Sequence, residues 1–575
     1  MAKPIIYQLF PRLYTNSVSN CVPNGSIEEN GCGKMNEITP TVLRSIRDLG
    51  VTHVWYTGVI EHAHKTDYTA FGITKDNAHV VKGNAGSPYA IKDYYDIDPD
   101  IAVDVPNRIE EFKALVRRTH ECGMKVIIDF VPNHVARCYH SDAKPVGISD
   151  FGENDNKDMF FCPNNNFYYI PRQQFAPTFS LGEGDDEYVE FPAKATGNDC
   201  FTAFPGQNDW YETVKLNYGV DYGNGCRYFN PTPDTWFKML HILRYWAGMG
   251  IDGFRCDMVC MVPVDFWRWA IPQVKEKYPD LLFIAEIYDV GQYRDYIYNG
   301  HFDYLYDKVN LYDRLRAIMC SNVSAANITS CWQTVDGISD YMLNFLENHD
   351  EQRIASEQFA GDAVKAKPAL VVSATMSRAA MMIYQGQELG EKGADSEGFS
   401  GCDGRTTIFD YWSVPTLRRR YNEGKCDTAL LSEDEVALME YYKRVLTLCT
   451  EEKAISEGGF FDLMYVNYEN VNPHKHFVYL RHIQGETLLI LANFDDNAAT
   501  VQVEIPKHAF ECLNLTQGQY DARELLHGDS KEATLCIGNR FEVSVNAYDA
   551  VIWKFTPKKF DPKRHAKEKI TKTTK

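Results

Sequence analysis

Three stretches of this chain close an apolar run with groups capable of acid–base or nucleophilic chemistry. In Gly253-Phe-Arg-Cys-Asp-Met-Val259, Arg255 and Asp257 stand two residues apart. Side chains on a strand alternate faces, so these two point the same way and Cys256 points the other. A guanidinium beside a carboxylate lowers its pKa and keeps it ionised, and an ionised, positioned carboxylate can serve as a nucleophile. Leu282-Phe-Ile-Ala-Glu-Ile287 delivers Glu286 from a strongly apolar strand, where burial raises a carboxyl pKa toward that of a working general acid. Phe345-Leu-Glu-Asn-His-Asp350 ends in His349 and Asp350. Taken singly, each has a plain structural reading: an Arg–Asp pair, a paired buried Glu, a strand-end His. Together, three apolar strands with a carboxylate at each C-terminal end point to one site at one end of a parallel barrel.

The elements that must hold these residues are legible on either side of them. Ile5 to Phe10 reads as a first strand, Val51 to Thr57 as a second and Lys125 to Phe130 as a third. Between them lie a helix from Pro40 to Leu49, stopped at Gly50, and another from Ile109 to Cys122, stopped at Gly123; proline first and glycine last is the expected polarity. Helices at Pro233–Gly248 and Pro263–Tyr278 flank the Gly253 strand, and later strands fall at 302–306, 341–346 and 379–384. Repeated strand–helix units imply a parallel sheet. From about 135 to 211 the pattern breaks into an Asn-, Asp-, Gly- and Pro-rich segment with strand-like pieces at 167–170 and 188–191, too long for an ordinary loop. Beyond Gly458 the period becomes two, in 476–481, 487–491, 500–504, 541–545 and 550–553, which predicts a C-terminal antiparallel β-sandwich. The last stretch, 558–575, is basic and poor in large apolar residues, the composition of a disordered tail.

The chain resembles the alpha-amylase family of retaining glycoside hydrolases (glycoside hydrolase family 13). Asp129-Phe-Val-Pro-Asn-His134 is similar to the family's first signature block, Gly253–Val259 to the second, Ala285-Glu286 to the third and Asn348-His349-Asp350 to the fourth. Lys215-Leu-Asn217 and Gly386-Gln-Glu-Leu-Gly390 resemble further blocks. The resemblance implies a (β/α)8 TIM barrel (residues 1–134 and 212–457), a small domain inserted after strand three (135–211) and a β-sandwich (458–557). It implies Asp257 as nucleophile, Glu286 as acid and later base, and Asp350 as the third carboxylate, gripping sugar hydroxyls. In such enzymes the two working carboxyls sit about 5–5.5 Å apart. Arg255, His134 and His349 would hold the same ring, and Tyr89, in Gly86-Ser-Pro-Tyr-Ala-Ile-Lys-Asp-Tyr-Tyr95, would stack beneath it. Asn133 matches a residue that binds structural calcium in many relatives and is the one candidate ligand for that ion; the chemistry itself requires no cofactor.

Two departures bear on specificity. Many members carry His two residues before the stacking tyrosine, where this chain has Ser87. Many follow the nucleophile at three and four residues with Lys and His, where this chain has Cys260 and Met261. Soft apolar groups there replace polar grips on the leaving-group sugars. The implied activity is hydrolysis of α-1,4-glucosidic bonds in starch-derived maltooligosaccharides. A transglycosylase or phosphorylase, or an enzyme of alpha-glucosidase or trehalose-type specificity, is the alternative on the same fold, since one fold serves several acceptors. A non-catalytic carbohydrate-binding protein is the remote one, with no evident use for a retained carboxylate cluster.

Composition narrows the partners. A net charge of −20 over 575 residues argues against nucleic acid or an anionic membrane, and not against a neutral glucan. The 16 cysteines are scattered, with no paired metal-ligand spacing beyond a lone Cys256-x-x-x-Cys260, so free thiols in a reducing compartment are expected rather than a disulfide framework or a zinc site. With no signal-peptide pattern and no long apolar run, a cytoplasmic location is expected, and the Asn-x-Ser/Thr triplets at Asn24, Asn322, Asn327 and Asn514 are then chance matches.

Overall fold

In the computed structural model, which describes residues 3–181, 187–396 and 402–558, eight short strands close a parallel barrel. They are β1 (Ile5–Leu9), β2 (His53–Tyr56), β3 (Lys125–Phe130), β4 (Gly253–Cys256), β5 (Leu282–Ala285), β6 (Tyr304–Tyr306), β7 (Met342–Phe345) and β8 (Ala380–Tyr384). Each pairs with its sequence neighbours, and β8 closes back on β1 through Ile5 opposite Met381. Apart from Lys125, half-exposed Tyr304 and little else, the strand residues are buried. That follows from their composition: runs of Ile, Val, Leu, Phe and Met suit strands covered on both faces. Gly253 opens β4 where a side chain would come within 3.1 Å of the Leu282 backbone oxygen, so glycine there lets the strands pack without displacing that neighbour.

Helices cover the barrel with their apolar stripes inward. Helix α1 (Pro40–Arg47) begins with Thr39 accepting from the Val42 N–H and buries Val42, Leu43 and Ile46. Helices α2 (Arg108–Glu121), α3 (Asp234–Ala247) and α4 (Val264–Lys275) lie close to the spans expected from the sequence. The basic stretch beginning at Lys558 lies, past that first residue, outside the described residues. Among the described residues no helix is long and apolar enough to cross a membrane. All sixteen cysteines stand as free thiols.

The segment after β3 leaves the barrel through His134–Ala136 and returns through Thr213–Lys215, and these two pieces pair antiparallel, His134 opposite Lys215. Inside it, Tyr169–Ile170 pairs with Ala193–Lys194. The expected strand at 188–191 does not form. Pro192 removes a ladder donor there, and the Glu190 carboxylate is committed to Arg137 at 2.7 Å.

C-terminal to the barrel, strands β9 (Gly459–Asp462), β10 (His476–Ile483), β11 (Glu486–Asn493), β13 (Gly518–Glu524), β14 (Ser530–Leu535) and β16 (Asp549–Pro557) form an antiparallel sheet in the order β9-β10-β11-β16-β13-β14; β12 (Ala499–Glu504) and β15 (Arg540–Val545) pair separately. Strands β13 and β14 were not expected from the sequence. Their inward positions include Tyr520, Ala522, Glu524, Ala533 and Leu535, a mix too polar and too small to give a clear alternation. Arg481 on β10 pins this sheet to the barrel. It is 2% exposed and donates to the carbonyls of Ala454, Ile455, Gly458 and, from the barrel side, Met376. Arg481→Leu strands four buried acceptors at about 1–3 kcal/mol each. The expected result is a loss of at least about 3 kcal/mol in a urea titration, with the barrel and the C-terminal sheet no longer unfolding together.

Candidate active site

The C-terminal ends of β3, β4, β5 and β6 converge on one guanidinium. Arg255 Nη1 lies 2.9 Å from Asp257 Oδ1 and 3.3 Å from Asp129 Oδ1, while Nη2 lies 2.8 Å from Glu286 Oε1. Its Nε points at the Tyr306 hydroxyl at 3.3 Å. The cation sits 5.2–5.5 Å from the ring centres of Trp55, Tyr89 and Tyr306, an aromatic cage that favours positive charge. Arg255 is 1% exposed, so water screens none of this.

That sharing corrects one expectation. Arg255 was expected to hold Asp257 ionised by itself. Instead Asp257 is pushed well above the usual carboxylate range, by burial first and by Glu286 second, with Arg255 opposing. One guanidinium faces three carboxylates, so its field is divided among them. Asp129 shows the same pressure: burial raises it to about 7 despite Arg255 and the Trp55 N–H.

Glu286 is held from three sides. Besides Arg255, the Tyr288 hydroxyl donates to Oε1 at 2.6 Å and the Met258 N–H donates to Oε2 at 2.8 Å. Met258 adopts φ +43°, a left-handed conformation that a non-glycine residue holds at about 1–3 kcal/mol; the turn brings its N–H onto Glu286.

Both histidines are neutral donors. Burial lowers His349 to about 3, helped by Arg255, and lowers His134 to about 3, helped by Lys215. The Gln8 amide donates to His349 Nδ1 at 2.8 Å. The ring proton therefore sits on Nε2, 3.2 Å from Asp350 Oδ2. Asn133 does the same for His134 Nδ1 at 3.1 Å. Tyr89 stacks on His349 with centroids 5.1 Å apart, and its hydroxyl reaches toward Asp129.

These groups surround a cavity of about 370 Å³. Asp257, Glu286 and Asp350 lie on its wall with Tyr89 and His134; Arg255 and His349 stand behind. The far side is built by Trp210, a Lys82–Glu212 ion pair at 3.0 Å, Ile408 and Phe409. Of these, Asp129 opens the first motif and Tyr288 lies two residues beyond Glu286, so both had a sequence signal. Trp210, Lys82 and Glu212 had none, because they belong to irregular segments. Cys260 does not line the cavity, and neither does Met261.

Asn133 sits differently from a metal ligand. Its Oδ1 accepts from the Lys215 ammonium, which also lies 2.6 Å from Asp199 Oδ1 and 3.2 Å from the Met261 carbonyl. Lys215 is 2% exposed. Three oxygens from the barrel and the inserted segment thus already surround a positive charge, and a calcium ion there would be forced against it. The residues do not fit the ion.

A parallel eight-stranded barrel with facing carboxyls at its C-terminal end defines the class of barrel glycoside hydrolases. A family model described as the alpha amylase catalytic domain matches residues 8–428, and the chain belongs to that family. It is 21% identical over 496 residues to Alpha-amylase 2 of Dictyoglomus thermophilum, covering 86% of this chain and 69% of that one. It is 23% identical to a cyclomaltodextrinase of Geobacillus thermopakistaniensis, covering 92% and 74%. Its fold matches a noncanonic maltogenic alpha-amylase from Thermotoga neapolitana with a TM-score of 0.61 at 20% identity, over 96% and 99% of the two chains. An alpha-amylase from Geobacillus thermoleovorans, complexed with acarbose, matches at 0.63 and 18% identity, over 97% and 99%.

Asp129 gives a pH test. Its folded pKa is raised to about 7 from the model-compound 3.8, so its neutral form favours folding below about pH 4 and that contribution is lost as pH rises through 7. Asp129→Asn removes the titration. The thermal midpoint of the variant relative to wild type is expected to climb between about pH 4 and pH 7 and to level off above; a difference flat across that range would contradict the assignment.

Proposed function

We propose that the protein is a retaining hydrolase of α-1,4-glucosidic bonds in maltooligosaccharides. The observation that carries this reading is Asp257 and Glu286 facing one cavity, joined through Arg255 and the Met258 turn. Asp257 attacks the anomeric carbon as Glu286 gives its proton to the leaving glycosidic oxygen, forming a covalent glycosyl-enzyme. Glu286 then takes a proton from water, the water oxygen attacks the same carbon, and Asp257 leaves. Burial and Glu286 press Asp257 toward its neutral form, and Arg255 at 2.9 Å is the group that supports the ionised form the attack needs.

Asp350, with the most open carboxylate of the three, grips hydroxyls on the sugar. The Nε2–H groups of His349 and His134 donate to the same ring, and their neutrality keeps a second cation away from the oxocarbenium-like state. Tyr89 is the stacking platform. The wall also offers the apolar Met258, Ile408 and Phe409 beside the Lys82–Glu212 ion pair, surfaces for both faces and hydroxyls of neighbouring sugars. The cyclomaltodextrinase and maltogenic relatives support a maltooligosaccharide substrate. At Asn133 the cation is the Lys215 ammonium, and catalysis needs no ion at that position.

Asp257→Asn and Glu286→Gln are each expected to lower kcat by roughly 10⁴-fold without altering the thermal midpoint much; normal turnover in either would sink the assignment. NMR of the first-formed product from maltoheptaose should show the α-anomer, and a β-anomer would exclude a retaining path. Chromatography of the same reaction should show only shorter sugars; products longer than the substrate would move the reading to glycosyl transfer. Lys215→Met leaves Asn133 and Asp199 without a cation and should cost about 3 kcal/mol in stability, measured by urea titration.

A further inference from the structure

A second group of acids lies behind the sugar platform and takes no part in the chemistry above. After β2 the chain forms a hairpin of Ile60–His62 against Ile91–Ile97, in which Glu61 faces Asp93 between two register shifts. Glu61, Asp93 and Asp96 each present a carboxylate oxygen within 4.8 Å of the others. They are 0%, 0% and 2% exposed. Asp93 is fixed by the Tyr95 N–H, the Ser141 hydroxyl and the Ala143 N–H. Asp96 is fixed by the Ile97 N–H and Arg108. Glu61 has no hydrogen-bond partner on either oxygen; its nearest cation is Lys92 at 3.4 Å. Lys92 is shared with Asp76 at 3.5 Å and donates to the Thr74 carbonyl.

The charges do not balance. Glu61, Asp76, Asp93 and Asp96 bring four negative charges into a site closed to water, and Lys92 and Arg108 return two. The neighbouring Asp98 is matched separately by His62 at 2.8 Å. An uncompensated buried carboxylate is held only by protonation or by a cation. Burial, with Asp93, Asp96 and Asp98 beside it, pushes Glu61 well above the usual range against the pull of Lys92.

We propose that Glu61, Asp93 and Asp96 bind one divalent oxygen-seeking cation of calcium size. Oxygens at about 2.3–2.6 Å from such an ion can lie up to about 5 Å from one another, which accommodates the observed spacing. The donors are all carboxylates, which suits a hard ion and not zinc or copper. One divalent charge also closes the deficit. The ion would tie the hairpin carrying Lys92, three residues past Tyr89, to Ser141 and Ala143 of the inserted segment. It is distinct from the Asn133 position, which holds an ammonium.

Full-length protein stripped with chelator and desalted is titrated with calcium chloride, following heat and thermal midpoint. One equivalent should bind per chain and raise the midpoint by about 2 °C or more. Glu61→Gln and Asp96→Asn should each lose that equivalent with near-ultraviolet circular dichroism unchanged, while Asn133→Ala keeps it. Absence of uptake by the wild type at millimolar calcium would overturn the proposal, leaving Glu61 a buried neutral acid, and this readout stands even if a variant fails to fold. Uptake that survives in both carboxylate variants, or that disappears in Asn133→Ala alone, would equally overturn it.

Discussion

One guanidinium among three carboxylates is the constraint on which the rest of the site depends. Among the described residues, Arg255 is the only side chain that touches Asp129, Asp257 and Glu286 together. Removed from water, three carboxylates this close cannot all remain charged without it. The aromatic cage of Trp55, Tyr89 and Tyr306 holds the cation in place. The barrel exists to bring these groups from separate strands to one end: Asp129, Arg255 and Glu286 lie at the ends of three adjacent strands, two of them paired directly as Arg255 opposite Asp129.

A second positive charge secures the inserted segment. Lys215 binds Asn133 at the end of β3, Asp199 in the insert and the Met261 carbonyl after β4. It fixes His134, which shares Asn133 as a neighbour, and lowers that ring's basicity. An internal ammonium thus does what a bound ion would do, with no dependence on ion supply. In the hairpin that follows Tyr89 the resident ammonium, Lys92, lies 3.4 Å from Glu61 and is shared with Asp76.

The barrel was readable from the sequence because its strands are short, wholly apolar and bounded by helices with proline and glycine at their ends, as at Pro40 and Gly50. Asp257, Glu286 and Asp350 were readable because each closes such a strand. What failed to show had physical reasons. The proton affinity of Asp257 is raised by burial and by Glu286, which lies 29 residues after it in the chain, so no local pattern contains it. The stretch at 188–191 has strand composition, yet Glu190 answers to Arg137 instead of a partner strand. Strands β13 and β14 are stabilised by neighbours in the sheet rather than by their own residues, Ser530–Leu535 burying only Ala533 and Leu535. Lys215 falls in a recognisable sequence motif, but its role rests on Asp199, whose surroundings give no signal.

The ladder that joins His134–Ala136 to Thr213–Lys215 has a wider meaning. Both ends of the inserted segment are clasped to each other at the barrel rim, so the path between them is a closed excursion. Lengthening, shortening or reshaping it need not disturb the strand spacing below, because no barrel strand is asked to span the change. Trp210 and Glu212 then occupy ground where the sequence can change, while Asp257 and Glu286, at the ends of the next two strands, stay fixed. The architecture separates the part of the enzyme that breaks the bond from the part that chooses what is presented to it, and allows the second to evolve on its own.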